Sequence, residues 1–427
     1  MPREATLRVN SYTPASVPES DKLKCLWIGR NIPYPLDEGA KVYSAKLAES
    51  LAAAGASIRF LGFGDTAAVP STTLNVEWVS VPKDRRSGIV ALLSSLPNQA
   101  AVDATEAYVA LLDAQLRERW DAIVLDSYGA GWALNRCLAY RAASGDRRPI
   151  LVHVSHNHEE ALWRSMAREA RGFALRRLAL WQNFRRVCAL ERRIVRNVDL
   201  LTTITDEDRR ALGARLGEGH TLTLTPGYTG WVVNERLIST DTPRRVIIVG
   251  SFHWVVKQEN LRRFVELADP VFSQHGIELD IVGAIPSDLL AKLKAHCRAT
   301  RFHGFVADIA PILAQARMAV VPEPIGGGFK LKLLDYIFGR VPVATVSQAA
   351  AGLPPAIRRE TLECADLPRL VRGIVWQIDR IDELNRMQER AFTHAQTQFR
   401  WEHRGQQLRR AISRLTRPAN VAPEWAK

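Results

Sequence analysis

A run of three glycines in the second half of the chain, Gly326 to Gly328, precedes a segment with helical spacing. Glycine lowers the stability of a helix, so a triplet at the start of one needs another reason. Glycines let the backbone approach a ligand closely, and a helix start offers free N–H groups with partial positive charge. Both properties suit a phosphate group, and the sequence therefore predicts a phosphate site where this helix begins.

The segment after the glycines carries two lysines and an acid, Lys330, Lys332 and Asp335. On a helical wheel Gly328, Lys332 and Asp335 fall within about 60° of one another, while the leucines turn elsewhere. Amides and lysine would hold a diphosphate, and the carboxylate would hold the diol of a ribose. The alternative is a solvated pair of Lys332 and Asp335 at i and i+3, worth about 0.2–0.5 kcal/mol.

A polar cluster, HVSHNHEE at 153–160, follows a strand-like run in the first half of the chain. Its three histidines and two acids suggest a metal site. No other group in the sequence supplies the remaining ligands at a recognisable spacing, so we predict no metal site. Contact with a ligand and helix capping remain the two interpretations for His156 and Asn157.

The segment TDEDRRAL at 205–212 places Asp206 and Asp208 in an arrangement that resembles a metal-binding DxD. Thr205 and Asp208 also have the spacing of a capping box, with Asp in place of Glu or Gln, just after a strand-like run. We predict a helix cap here, which implies no metal requirement.

The elements that could position these residues alternate along the chain. Strand-like runs such as 23–29, 121–127 and 149–156 are separated by helical patterns, and the pattern restarts at 240–252. This alternation predicts an α/β fold with parallel sheets, whose ligands bind beyond the carboxyl ends of the strands. We expect two Rossmann-like domains, and divide the chain into a flexible leader (1–21), an N-terminal domain (22–236), a C-terminal domain (237–395), and a closing helix with its tail (396–427).

Composition places the chain among globular proteins. Its 427 residues are 47% hydrophobic and 24% charged, and no apolar run is long enough to span a bilayer. The five cysteines are scattered without paired spacing, and the first residues lack the pattern of a secretory signal. We therefore expect a reduced, cytoplasmic location.

The chain has a net charge of +13, and much of its basicity lies in one stretch, 163–196, which holds ten arginines opposed by two glutamates. Tryptophan, phenylalanine and leucine are interleaved with the arginines. A basic amphipathic stretch of this kind is typical of an anionic membrane surface, while a solvated helix face is the simpler interpretation. Nucleic acid is a third interpretation, but no motif in the sequence supports it, and we expect no nucleic-acid partner.

Four segments in order resemble the group 1, GT4-like glycosyltransferases of GT-B fold. GGGFKLKLLDYIFGRVPVATVSQAAAGL at 326–353 is similar to the donor-nucleotide motif of the glycine-triplet branch. WIGRNIPYPLDEGAKVYSAKLAESLAAAG at 27–55 resembles the opening strand, loop and helix. VGSFHWVVKQENLRRFVE at 249–266 is similar to the start of the second domain, where an Asn precedes a helix. FRWEHRGQQLRRAI at 399–412 resembles the crossover helix that ends the fold.

The resemblance implies roles for particular residues. Asp335 matches the acid that binds the nucleotide ribose, with Asp in place of the usual Glu, and Gly327 stands where many members carry a second Glu. Lys257, placed in the loop after the first strand of the second domain, matches a basic group that faces the diphosphate. The catalytic residues expected are His156, Asn157 and Lys332; the residues expected to bind the nucleotide-sugar are Gly39, Ser251, Lys257, Gly326, Gly327, Gly328, Phe329, Lys330, Lys332 and Asp335.

The function implied is transfer of a hexose from a nucleoside-diphosphate sugar to a hydroxyl of a glycan, a lipid-linked molecule or another acceptor. The donor domain would be C-terminal and the acceptor-side domain N-terminal, facing each other across a cleft. Retention of configuration, no cofactor and no metal ion are expected, in surface polysaccharide or glycoconjugate synthesis, with the protein peripheral on the inner face of the membrane. The alternatives are a sugar-nucleotide epimerase of the same fold and a non-catalytic nucleotide-binding or membrane-associated protein.

Overall fold

Two parallel β-sheets organise the chain. The computed structural model describes residues 22–71, 75–81, 85, 94–169, 174–214, 216–217, 219–326 and 328–416, so the expected leader at 1–21 lies outside the described residues. The strands are β1 (Leu23–Asn31), β2 (Ala56–Phe63), β3 (Val76–Ser80), β4 (Ala122–Asp126), β5 (Ile150–Ser155), β6 (Leu200–Thr203), β7 (Thr221–Thr223), β8 (Arg245–Val249), β9 (Glu278–Val282), β10 (Thr300–Gly304), β11 (Met318–Val321), β12 (Val343–Val346) and β13 (Leu362–Cys364).

The two sheets divide the strands by their order in the sequence. The first sheet has the order β3-β2-β1-β4-β5-β6-β7 and the second β10-β9-β8-β11-β12-β13. The strand pairs are parallel in both sheets. The predicted α/β class with two Rossmann-like units is confirmed.

Helices connect successive strands and cover the sheets. In the described part of the chain they are α1 (Gly39–Ala53), α2 (Asn98–Asp103), α3 (Glu106–Gln115), α4 (Leu134–Ala143), α5 (Glu159–Glu169), α6 (Ala174–Asn197), α7 (Asp206–Gly213), α8 (Val255–Gln274), α9 (Ser287–Lys294), α10 (Ala310–Ala314), α11 (Lys332–Phe338), α12 (Pro355–Arg358), α13 (Leu367–Gln377), α14 (Ile381–Gln398) and α15 (Trp401–Thr416). None of these helices is both long enough and apolar enough to cross a bilayer.

The central strands are buried on both faces because helices pack on each side of the sheet. Cys25 and Trp27 of β1 belong to one apolar cluster, whereas Leu26 and Ile28 belong to another on the opposite face. Side chains alternate between the faces of a strand, so β1 serves both clusters. This burial explains why the inner strands read as continuous apolar runs in the sequence.

The closing helix returns to the first domain, as the resemblance implies. Leu408 and Ile412 of α15 lie in an apolar cluster of the first sheet. Gly405 faces α1 so closely that a β-carbon there would lie 1.9 Å from the carbonyl oxygen of Ser50. Arg404 donates to the carbonyl of Thr225 at 2.6 Å, which fixes the chain where it leaves the first sheet.

The four edge strands of the two sheets, β3, β7, β10 and β13, are missing from the sequence prediction. Their residues are mostly half-exposed or exposed, as β10 illustrates with Thr300–Gly304. Such strands lack the buried apolar run by which the inner strands were recognised. Their positions at the sides of the sheets leave the predicted ligand-binding edge unchanged.

Candidate active site

Gly326 and Gly328 lie in a loop after β11 and not at the start of a helix. Helix α11 begins at Lys332. Gly326 and Gly328 have φ values of 133° and 68°, which a right-handed helix does not contain. The prediction that the helix starts at the glycines is therefore wrong, and Gly328 does not share a helical face with Lys332. Gly327 lies outside the described residues.

Two lysines converge on a buried carboxylate at the carboxyl end of β11. The Nζ atom of Lys332 lies 2.6 Å from Oε1 of Glu323, and that of Lys330 lies 3.9 Å from Oε2. Glu323 is only 7% exposed. The pairing of Lys332 with Glu323 favours a built cationic site over the solvated pair of Lys332 with Asp335.

A third lysine, Lys257, joins this group and increases its positive charge. Burial, followed by the charge of Lys332, lowers the pKa of Lys257. Burial also lowers the pKa of Lys330, because Glu323 compensates only part of its desolvation and the other lysines oppose its charge. Burial acts to raise the pKa of Glu323, but the neighbouring lysines outweigh it and the pKa is lowered. Three ammonium groups around one carboxylate leave a positive surplus that suits a polyanion.

Lys257 lies in the first turn of α8 instead of the loop where the sequence analysis placed it. The helix begins at Val255, directly after Trp254. Asn260, expected before this helix, lies within it and donates to the carbonyl of Ile325 at 2.7 Å. This hydrogen bond ties α8 to the glycine loop. Ser251 follows β8 by two residues and is exposed at the same sheet edge.

Asp335 faces the segment that links the two sheets. Burial raises its pKa to about 6, although a hydrogen bond with Tyr228 and the charge of Lys332 act in the opposite direction. The ring of Tyr228 stacks on Phe338 with centroids 4.3 Å apart. Asp335 is therefore held at the side of the lysine group, one helical turn beyond Lys332.

The remaining predicted donor-side residues lie where the two domains meet. Gly39 opens α1 of the first domain, and a β-carbon at this position would lie 3.2 Å from Leu331 of the second. Phe329 packs against Phe399, with ring centroids 5.7 Å apart. Phe329 also packs against the apolar clusters of both domains, so its ring is used in packing between them.

The glycine loop touches the polar cluster of the first domain. A β-carbon on Gly328 would lie 2.4 Å from Oδ1 of Asn157 and 3.1 Å from the carbonyl oxygen of His156. The structure therefore brings Gly328 against His156 and Asn157, two adjacent residues that lie more than 150 positions earlier in the sequence. Because Gly328 also has a positive φ, this approach requires glycine on two grounds.

His156 is paired with an acid that the sequence analysis did not select. Its Nε2 atom lies 2.6 Å from Oδ1 of Asp126, and Oδ2 of Asp126 accepts from Nε1 of Trp27 at 2.8 Å. Burial acts to raise the pKa of Asp126, but the interaction with His156 and the hydrogen bonds lower it. Asp126 is the last residue of β4. An acid at the end of an apolar strand is the sequence signal by which Asp126 could have been selected as a site residue.

A cavity of about 170 Å³ opens beside this pair in the first domain. Its wall includes Arg30, Asn31, Gln99, Ser127, Tyr128 and Glu159. Ser127 has φ of 65° and ψ of 166°, a conformation that is strained for any residue except glycine. Strained backbone of this kind is concentrated at ligand sites, and hydroxyl, amide and charged groups line the wall as a sugar would require.

Glu159 is a second buried acid of the cavity wall, beside Asp126. Its Oε1 atom accepts from Nδ2 of Asn157 at 3.2 Å. Burial raises its pKa to about 7, against the hydrogen bond from Asn157 and the charge of His156. A carboxyl group with this pKa exchanges protons readily near neutral pH. The sequence analysis noted Glu159 within its cluster but gave it no role.

One group of metal-ligand type forms in the described part of the chain, from His158, Glu160 and Glu191, with ligand atoms within 4.8 Å of one another. No sequence spacing predicts this group, because Glu191 comes from another helix. These carboxylates have protein partners: Glu191 accepts from the backbone amides of Glu159 and Glu160 at 2.8 and 3.0 Å, and Glu160 pairs with Arg192 at 2.9 Å.

The predicted cap at the start of α7 is confirmed. Oγ1 of Thr205 accepts from the backbone amide of Asp208 at 3.1 Å. Asp206 accepts from the hydroxyl of Thr223 at 2.6 Å. Both acids of the DxD-like segment thus take part in local structure.

Comparison with known proteins identifies both domains. The family described as glycosyl transferase 4-like domain matches residues 38–227, and that described as glycosyl transferases group 1 matches residues 243–376. Together these matches cover about three quarters of the chain. No curated protein matches the sequence.

Solved structures of glycosyltransferases share the fold. HepE from Anabaena, in complex with UDP and glucose, aligns with a TM-score of 0.59 and 14% identity over 92% of this chain and 100% of its own. WaaG, a glycosyltransferase involved in lipopolysaccharide biosynthesis, aligns with a TM-score of 0.57 and 15% identity over 90% and 99%. A glycosyltransferase from Rickettsia africae aligns with a TM-score of 0.59 and 11% identity over 94% and 100%. The chain is a glycosyltransferase of GT-B fold, with a GT4-like N-terminal domain and a group 1 C-terminal domain.

Proposed function

We propose that the protein transfers a hexose from a UDP-sugar to a hydroxyl group of an acceptor, with retention of configuration and without a metal ion. The observation that carries the proposal is the group of Lys257, Lys330 and Lys332 around Glu323, beside the glycine loop. The UDP complex of HepE supports UDP as the nucleotide. The lipopolysaccharide role printed for WaaG supports a place in glycoconjugate or surface polysaccharide synthesis.

The lysine group serves the leaving diphosphate. In the reaction the bond between the anomeric carbon and the diphosphate oxygen breaks, and a bond to the acceptor oxygen forms. Negative charge grows on the diphosphate as the bond breaks, so ammonium groups that are already in place lower the barrier. They supply the charge that a metal ion supplies in other transferases. Asp335, one turn away, is the proposed contact for the ribose.

The acceptor binds in the cavity of the first domain, where its hydroxyl must lose a proton. Glu159 takes this proton, because its carboxyl group is buried in the cavity wall and its pKa is about 7. His156 and Asn157 contact the sugar from the side of the glycine loop, and Asp126 orients the ring of His156. UDP and the glycosylated acceptor leave as products.

Donor choice is tested first by thermal unfolding with UDP, GDP, ADP and their hexose derivatives. A rise in the unfolding temperature with UDP and a UDP-hexose is expected. UDP release is then measured with the matching donor and a panel of glycan and lipid-linked acceptors. When a lysine of the group around Glu323 is substituted, the control variant is Lys292→Ala, which removes an exposed lysine of α9.

The same measurements separate the alternatives. An epimerase would isomerise the donor without an acceptor, and a non-catalytic protein would bind UDP without turnover. Absence of a shift with every nucleotide would overturn the donor site. The anomeric configuration of the product, read by NMR, tests retention, and activity in the presence of a chelator tests metal independence.

A further inference from the structure

Helix α6 is buried along its C-terminal half and exposed along its N-terminal half. Val187 and Ile194 are fully buried in the core of the first domain. Leu178 and Trp181 instead keep 62% and 50% of their surface exposed. Two large apolar side chains exposed on neighbouring turns of one helix form a small apolar patch, which a docking surface can use.

The exposed half also carries cationic side chains. The guanidinium of Arg185 lies over the ring of Trp181, 5.0 Å from its centroid, and Arg177 is exposed next to Leu178. Within the described residues neither arginine forms an ion pair. Leu178, Trp181 and Arg185 are spaced at i, i+3 and i+7 and so share one side of the helix. We name this set, with Arg177, the α6 stripe.

We propose that the α6 stripe docks the protein on an anionic lipid bilayer. Leucine and tryptophan partition into the boundary between head groups and acyl chains, while arginines attract anionic head groups. The stripe combines both requirements on one helix face, and the chain as a whole carries a net charge of +13. Duplex nucleic acid would use the arginines but would leave Leu178 and Trp181 without an apolar partner.

A second copy of the chain fits the stripe less well than a membrane does. In a twofold dimer through this surface, the arginines of one copy would face those of the other. Like charges in contact oppose association, whereas anionic lipid neutralises them.

The position of the stripe relates it to the acceptor cavity. Glu191 of α6 accepts from the backbone amide of Glu159, which belongs to the cavity wall. Trp181 lies ten residues earlier on the same helix, so about 15 Å separates the two levels. A docked protein therefore holds its cavity near the lipid head groups. This step rests on the proposed function, and it identifies the acceptor class as a hydroxyl-bearing molecule anchored in lipid.

The test is co-sedimentation of the full chain with vesicles of phosphatidylcholine, with and without phosphatidylglycerol, at low and high salt. Binding to the anionic vesicles alone, weakened by salt, is expected. The variant Trp181→Glu/Arg185→Gln is expected to bind at least tenfold more weakly. The matched control is Trp376→Glu/Arg380→Gln, because Arg380 lies over exposed Trp376 in the same manner, at 3.5 Å, on the second domain. The control is expected to bind as the unaltered protein does.

Thermal unfolding with UDP shows whether each variant is folded and keeps its donor site, so failure of docking is distinguishable from failure of the proposed function. Equal binding to neutral vesicles, or unchanged binding by the Trp181 and Arg185 variant, would overturn docking. Docking on a bilayer would also be overturned by a protein that does not bind vesicles and instead forms a concentration-dependent dimer or binds a duplex oligonucleotide, if the same variant abolishes that association.

Discussion

The two sheet edges that meet at the glycine loop differ in the charge of their polar groups. In the second domain Lys330 and Lys332 pair with one buried carboxylate, Glu323, and Lys257 adds a third positive charge nearby. In the first domain the buried groups are mainly acids, with Asp126 tied to a histidine and Glu159 to an amide. Under the proposed function this difference corresponds to two roles: one edge would bind the anionic diphosphate, and the other would accept a proton.

Removal of Lys332 should give the largest effect, since it deletes the cation closest to Glu323. We expect Lys332→Ala to lower the rate of UDP release by about 10²–10³-fold, in the range found when one preorganised donor is removed. Lys292→Ala is the matched control and should retain activity. A Lys332→Ala protein with full activity would contradict the donor site.

A change at the proton-handling edge should spare donor binding. Glu159→Gln is expected to lower the rate about 100-fold, in the range for loss of a general base, while the thermal shift with UDP is unchanged. In the unaltered protein the activity should rise with pH through about 7, where Glu159 ionises. The variant should lose this dependence; a retained pH profile would assign the proton to another group.

The same substitution, Glu159→Gln, is expected to lower activity but to raise the stability of the folded protein. The pKa of Glu159 is about 7 in the folded protein and 4.5 ordinarily, so between these values the folded state binds more protons than the unfolded state. The unaltered protein therefore loses stability as pH rises through this window. We expect Glu159→Gln to be more stable at pH 8 by about 3 kcal/mol and equal at pH 4. Chemical unfolding at both pH values measures this, and equal stability at pH 8 would argue against a buried charge.

The contact between the edges can be tested with two glycines that share a left-handed backbone. Gly328 and Gly145 have φ of 68° and 57°, but a β-carbon would clash with Asn157 only at Gly328. Each Ala variant should lose about 1 kcal/mol of stability from backbone strain. Only Gly328→Ala should also lose activity, by about tenfold, because it separates the loop from Asn157. Similar activity of the two variants would show that the contact is dispensable.

The sequence predicted the fold well because the inner strands and covering helices carry their burial as apolar periodicity. It also selected Lys330, Lys332 and Asp335, because a glycine run followed by charged residues is a local signal. Glu323 and Asp126 were missed for a physical reason. Glu323 pairs with Lys332, 9 positions away, and Asp126 pairs with His156, 30 positions away. Both pairs are tertiary contacts that no sequence spacing predicts.

Local backbone conformation was the other limit. Three glycines before a helical pattern permit either a helix start or a loop with positive φ, and only the tertiary contact with Asn157 decides between them. The edge strands were lost because solvent covers one side of them and removes the apolar run. The expected catalytic and binding roles of the residues stay predictions, now with distances against which variants can be designed.

Glu323 has a consequence for how the donor site chooses among anions. The carboxylate of Glu323 already pairs with Lys332. A phosphate that binds Lys332 must therefore displace an anion that is part of the protein chain. Because this anion is attached to the chain, it competes at an effective concentration on the order of millimolar or more, and this value does not depend on the composition of the solution. A single phosphate, contacting one lysine, gains little by the exchange. Under the proposed function, a diphosphate can contact more than one lysine of the group and displace the carboxylate, so we expect Glu323 to favour a nucleoside diphosphate over inorganic phosphate at this site.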